Sequence, residues 1–173
     1  MIFGMNLHAY TQLHVLISLV AIGSGLIVMY GMLSGKRLDR WTSLFLATTV
    51  LTSVTGFGFP FAGVTPGIRL GIISLVVLSL GYLARYVQNL AGGWRVTYVI
   101  SAAMALYLNI FVLVVQSFEK VPALRAIAPT QKEPPFAIAQ IAVLVVFVGL
   151  TILAVKRFRP DNLPAAKSAS KAA

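Results

Sequence analysis

The sequence contains no cysteine and only four acidic residues among its 173. Without cysteine there is no disulfide, no thiolate nucleophile, no Cys-ligated iron–sulfur cluster and no Cys-attached haem. The acids are Asp39, Glu119, Glu133 and Asp161, and none lies inside a long apolar run. The embedded carboxylates that usually mark proton-coupled transport are therefore missing. Histidine is nearly as scarce, with His8 and His14 alone. No Walker A, GxGxxG, HExxH or EF-hand pattern is present. The glycines of GVTPGIRLG read as a turn, not as a phosphate cradle. Ser18, Ser24 and Ser34 share a stretch with His14 but have no nucleophile elbow and no general acid nearby, which argues against an embedded hydrolase. The opening MIFGMNLHAYTQ lacks a basic n-region and no A-x-A site follows its apolar run, so the first helix is expected to stay in the mature protein.

What fills the chain instead is hydrocarbon. Hydrophobic residues make up 58% and charged residues 10%, and the mean hydropathy is +0.89. A soluble domain carries about a quarter charged residues, and this composition would leave large apolar patches in water. Lipid is the solvent that suits it. A bilayer core of ~30 Å needs about 20 mostly apolar residues per helix. Five stretches meet that length, at about 10–33, 42–61, 68–87, 97–118 and 136–155. The expected fold is all-α, a compact bundle of five transmembrane helices over 1–155. The basic tail at 156–173, rich in Pro, Ala, Ser and Lys, reads as disordered and able to touch anionic lipid.

The net charge of +10 comes from fourteen Lys and Arg. They sit in short connectors and the tail, with no basic stripe interleaved with aromatics, so topology explains them better than nucleic acid does. With the N-terminus outside, ten fall inside (Lys36, Arg37, Arg40, Arg85, Arg95, Lys156, Arg157, Arg159, Lys167 and Lys171) and four outside (Arg69, Lys120, Arg125 and Lys132). The positive-inside rule then puts the N-terminus outside and the C-terminus in the cytoplasm of a bacterial-type inner membrane. Tyr10, Tyr30, Trp41, Tyr82, Tyr86, Trp94 and Tyr98 lie near span ends, as an aromatic belt would.

Small or polar residues recur at helical spacing on several spans: His14, Ser18, Ala21 and Gly25 on the first, Thr42, Thr49, Thr52 and Gly56 on the second, and Gly67, Gly71, Ser74 and Gly81 on the third. Such faces let helix backbones approach closely, so a packed bundle needs no pore. Polar groups inside the spans are costly in hydrocarbon unless paired or functional. His14, Asn109, Gln116 and Gln140 are those groups, and Arg69, Glu119 and Glu133 lie at or just beyond the outer edge. Under this topology His14, Gln116 and Gln140 share the outer half. A candidate ligand site therefore comprises His14, Asn109, Gln116, Gln140 and Arg69, with interhelical hydrogen bonding as the plainer role. Within the outer connector 119–135, VPALRAIAP is expected to form a short interfacial helix, as a strap or as a cap over that site.

The two histidines do not make a metal site. Six residues turn an α-helix by ~600°, leaving the rings about 120° and ~9 Å apart. Over the first third, His14, the glycine-rich first helix and the basic connector after it resemble small bacterial membrane proteins of the cytochrome b561-like kind. This chain lacks the second pair of helix-borne histidines that such a bundle needs, so no haem ligand is carried over. No cofactor is required by the sequence, although quinone or haem is compatible with it. The expected role is a non-enzymatic accessory or ligand-binding membrane protein, with an outer-half pocket for a lipid-soluble molecule such as a quinone. A redox subunit and a small transporter or channel are the alternatives. Membrane lipid, partner membrane subunits or a second copy are the expected partners, and nucleic acid is not.

Overall fold

The computed structural model describes residues 4–60, 63 and 65–159. The chain folds into α1 (Leu7–Leu33), α2 (Asp39–Phe57), α3 (Pro66–Tyr82), α4 (Trp94–Lys120), a short α5 (Pro122–Ile127) and α6 (Pro134–Arg157), with a π-helical turn at Leu83–Val87 prolonging α3. No strand occurs among the described residues. The proposed disordered tail lies outside them from residue 160 onward, as does residue 61 at the expected end of the second span.

Local chemistry sets the helix ends. The Asn6 side chain accepts from the Ala9 N–H at 2.8 Å and caps α1. Thr65 does the same for Ile68 ahead of Pro66, and Pro134 opens α6, where a missing N–H costs nothing. At the other end of α1, Gly35 takes a φ of +65°. Its N–H bonds to the Met32 carbonyl, while that of Lys36 bonds to Gly31, which closes a Schellman turn.

Long helices alternate in direction, which produces two ends. One end gathers the start of α1, the end of α2 and the α4–α6 connector. The other gathers the start of α2, the end of α3 and the end of α6. They are called here the His14 end and the Arg85 end. Helix α4 forms the centre, with Tyr98, Val99, Ala102, Ala103, Ala105 and Leu106 all buried. It meets α1 closely because Gly25 has no side chain: a Cβ there would stand 2.6 Å from Leu106 Cδ1 and 2.8 Å from Phe45 Cε2. The periphery is apolar and open. Ile138, Ile141, Val145 and Ile152 of α6 and Ile72 and Val76 of α3 are each about half or more exposed, as side chains facing lipid would be.

Four helices are long and apolar enough to cross a membrane: Leu7–Leu33, Pro66–Val87, Trp94–Lys120 and Pro134–Arg157. These make the chain a multi-pass membrane protein. Helix α2 runs beside them but falls short of the same measure, because it opens on Asp39 and Arg40 and carries seven serines and threonines. Six of those seven hydroxyls are satisfied within the helix, while buried Thr52 Oγ1 has no hydrogen-bond partner among the described residues. Thr42, Ser43, Thr48, Thr49, Ser53 and Thr55 each donate to the carbonyl four residues back. The second span was expected to reach residue 61, but helix α2 stops at Phe57. Gly58 follows, and a Cβ on it would meet the Tyr10 hydroxyl at 2.1 Å.

Candidate functional site

The polar residues of the spans each find a separate partner. His14 Nδ1 lies 2.8 Å from Thr55 Oγ1, and the ring stands edge-on to Phe59 at 5.2 Å. The Thr55 hydroxyl already donates to the Leu51 carbonyl at 2.7 Å. Its oxygen is therefore the acceptor, which assigns the proton to Nδ1 of His14. One turn earlier, buried Tyr10 donates to the Thr55 carbonyl at 2.7 Å. Tyr10 and His14 thus clasp the end of α2 from one face of α1. Asn109 donates to Thr49 Oγ1 at 3.4 Å, Gln116 to Glu119 Oε2 at 3.3 Å, and Gln140 to the Phe111 carbonyl at 3.3 Å. Arg69 is exposed near the start of α3. No hydrogen bond joins any two of His14, Asn109, Gln116, Gln140 and Arg69 among the described residues. His14 and Asn109 both address α2, but at threonines six residues apart.

Open space at this end lies elsewhere. An apolar groove of about 450 Å³ runs along the outward face of α1, with Val15, Leu16 and Leu19 as its floor and His8, Thr11, Gln12 and Lys120 around its upper part. Beside it, a polar pocket of about 410 Å³ is lined by Glu119, Lys120, Arg125, Pro129, Thr130 and Gln131. Lys120, the last residue of α4, borders both. The pocket wall is held by Gln131, which adopts a left-handed φ of +57° while its side chain donates to the Val115 carbonyl at 3.0 Å. Glu133 caps the neighbouring turn, accepting from Thr130 Oγ1 at 2.8 Å and from the backbone N–H groups of Thr130 and Lys132. Partial desolvation alone would raise its carboxyl, but these hydrogen bonds together outweigh that and hold it below the usual carboxylate range.

At the opposite end the structure contains a feature that sequence reasoning missed. Arg85 was counted among the connector bases, yet it is 1% exposed. The π-helical turn widens the backbone around it, with the Gln88 N–H bonding to the Leu83 carbonyl. Asn89 and Leu90 then take positive φ values, and Leu90 is buried beneath. Arg85 Nη2 pairs with Asp39 Oδ1, which also accepts from Arg37 at 2.9 Å. The guanidinium lies over the Tyr98 ring at 4.9 Å and beside Tyr86 at 5.7 Å. The available signal was position: Arg85 interrupts an apolar run before its end, whereas a surface base follows one.

No three of His, Asp and Glu gather into a metal-binding set among the described residues. Comparison with protein families, curated proteins and solved structures found no match to this chain.

Proposed function

We propose that this chain is a five-span protein of a bacterial-type inner membrane, with the His14 end outside. We propose further that it serves as a non-enzymatic accessory protein binding a lipid-soluble amphiphile in the outer half of the bundle. The fifth span is α2: six of its seven hydroxyls are bonded internally and the seventh, that of Thr52, is buried inside the protein, so hydrocarbon meets few unsatisfied polar atoms. Orientation rests on the basic residues, which favour the Arg85 end as cytoplasmic by nine to four even when buried Arg85 is left out.

The groove on α1 carries the binding reading. Its volume of about 450 Å³ lies within the ~300–1,000 Å³ usual for small-molecule sites. An apolar floor beneath a rim of His8, Gln12 and Lys120 matches a molecule with an alkyl chain and a polar head, and a quinone is one example. His14 supports α1 from behind through Thr55, while Asn109 and Gln140 brace neighbouring helices.

In sealed vesicles, a quinone bearing a diazirine in its chain should label the Val15–Leu19 segment, and the unmodified quinone should compete. Leu16→Trp should reduce that labelling about fivefold by filling the floor, since a methylene-scale change of fit is worth ~1–3 kcal/mol. Labelling that spreads evenly over Ile141 and Val145 of α6, with no competition, overturns the reading. Because the chain has no cysteine, Thr130→Cys tests topology directly. An impermeant maleimide should reach it from outside in intact cells, and reaction only after permeabilisation reverses the orientation.

A further inference from the structure

The pocket and the groove meet at Lys120, and their chemistry is opposite. The groove runs from Leu19 up to the level of His8, apolar at Val15, Leu16 and Leu19 and polar from Gln12 upward. Eleven residues of α-helix rise about 16 Å, close to the depth of one leaflet of a ~30 Å core. Above it, the pocket offers Lys120 and Arg125. Neither side chain has a hydrogen bond or ion pair among the described residues, although Glu119 lines the same pocket. Glu119 is engaged by Gln116, and Glu133 is occupied by Thr130 and Lys132. The pocket thus carries two cations without side-chain partners against the single carboxylate of Glu119.

The connector around the pocket is packed: Ala128 within it is fully buried, Phe118 and Phe136 pack edge to face at 5.4 Å, and Gln131 is tied to α4. Lys120 ends α4 and Arg125 belongs to α5, and both line the pocket. Arginine presents a planar fork suited to two oxygens of a phosphate, and lysine supplies a point charge beside it.

We infer that pocket and groove together form a single site for an anionic membrane lipid of the outer leaflet. Its phosphodiester sits between Lys120 and Arg125, and one acyl chain lies along Val15, Leu16 and Leu19. This rests on the groove being a ligand site and narrows the ligand's head to a phosphate. The single carboxylate in the lining, Glu119, opposes the headgroup and sets an upper limit on its charge.

The test is native mass spectrometry of the full chain released from nanodiscs of equimolar phosphatidylglycerol and phosphatidylcholine. The wild type should retain phosphatidylglycerol about fivefold over phosphatidylcholine, the scale expected for two partly screened ion pairs. Lys120→Gln with Arg125→Gln should abolish the preference while total lipid retained is unchanged, and Glu119→Gln should increase it. Leu16→Trp should lower retention of both lipids alike. Equal retention of the two lipids by the wild type, still sensitive to Leu16→Trp, overturns the anionic head but leaves the groove reading standing. Retention insensitive to Leu16→Trp overturns both. Loss of bound phosphatidylglycerol to excess inorganic phosphate would assign the pocket to free phosphate and overturn the lipid. All four substitutions lie on exposed positions, so circular dichroism should register an unchanged fold.

Discussion

The two ends of the bundle treat charge in opposite ways. At the Arg85 end, each described cation that enters the protein is tied down. Arg85 holds Asp39 and lies on Tyr98, Arg37 shares the same carboxylate, and Arg95 donates to the Val155 and Phe158 carbonyls at 2.7 and 2.6 Å. The last of these closes the C-terminus of α6, where carbonyls lack helical partners and the helix dipole favours a cation. At the His14 end, neutral groups do the tying: Tyr10 and His14 to Thr55, Gln131 to Val115 and Gln140 to Phe111. Lys120 and Arg125 remain uncommitted. Charge at one end is part of the architecture, and at the other it lines open space.

The largest expected effect lies at the Arg85 end. Asp39→Asn removes the counterion of an arginine that is 1% exposed and cannot shed its proton. Breaking a buried pair from one side costs ~3–5 kcal/mol, and because Asp39 is itself largely exposed the expected loss is about 3 kcal/mol. Adding Arg85→Met to Asp39→Asn should recover much of it, since no unpaired charge is left among Tyr98, Thr42 and Leu90. Thermal unfolding in detergent gives the comparison. If Asp39→Asn costs no more than Lys120→Gln, the contrast between committed and uncommitted charge fails.

These contrasts also show what a sequence can and cannot carry. The apolar runs located the long helices because lipid demands a continuous hydrophobic length, while the caps at Asn6 and Thr65 start α1 and α3 a few residues before the expected 10 and 68. The Gly and Pro residues of TGFGFP marked an exit from α2, but the expected bound at 61 overran its end at Phe57, where Gly58 sits beneath the hydroxyl of Tyr10, 48 positions earlier in the chain. Arg85 was visible only as one more base. Its burial depends on a π turn, on left-handed Asn89 and Leu90, and on a carboxylate 46 residues away. The embedded amides were legible as groups needing partners, since hydrocarbon supplies none. Which partner each takes was not, because Thr49 for Asn109 and Phe111 for Gln140 are choices made by helix packing. The groove was invisible for the same reason: Val15, Leu16 and Leu19 look like any other lipid-facing residues until Lys120 of another helix is brought beside them.

The smallest effect is a pH dependence at the His14 end. Glu133 is held below its ordinary range by hydrogen bonds that need its charged form. A carboxylate depressed on folding stabilises the native state fully above the unfolded value, near ~4.3 for glutamate, and loses that contribution as pH falls through the lower folded value. Acidification from neutral should therefore leave the connector intact until about pH 4–5, then loosen the Thr130–Pro134 turn first. Hydrogen exchange of the Thr130 and Lys132 amides, taken relative to the intrinsic rate at each pH, reports this locally, and both should lose protection at the acid limit. Glu133→Gln should show the faster exchange already at neutral pH, with no further acid dependence, because an amide cannot reproduce the charge-assisted acceptance. Glu133→Gln exchange that matches the wild type at neutral pH would show that the charged carboxylate does not hold this turn.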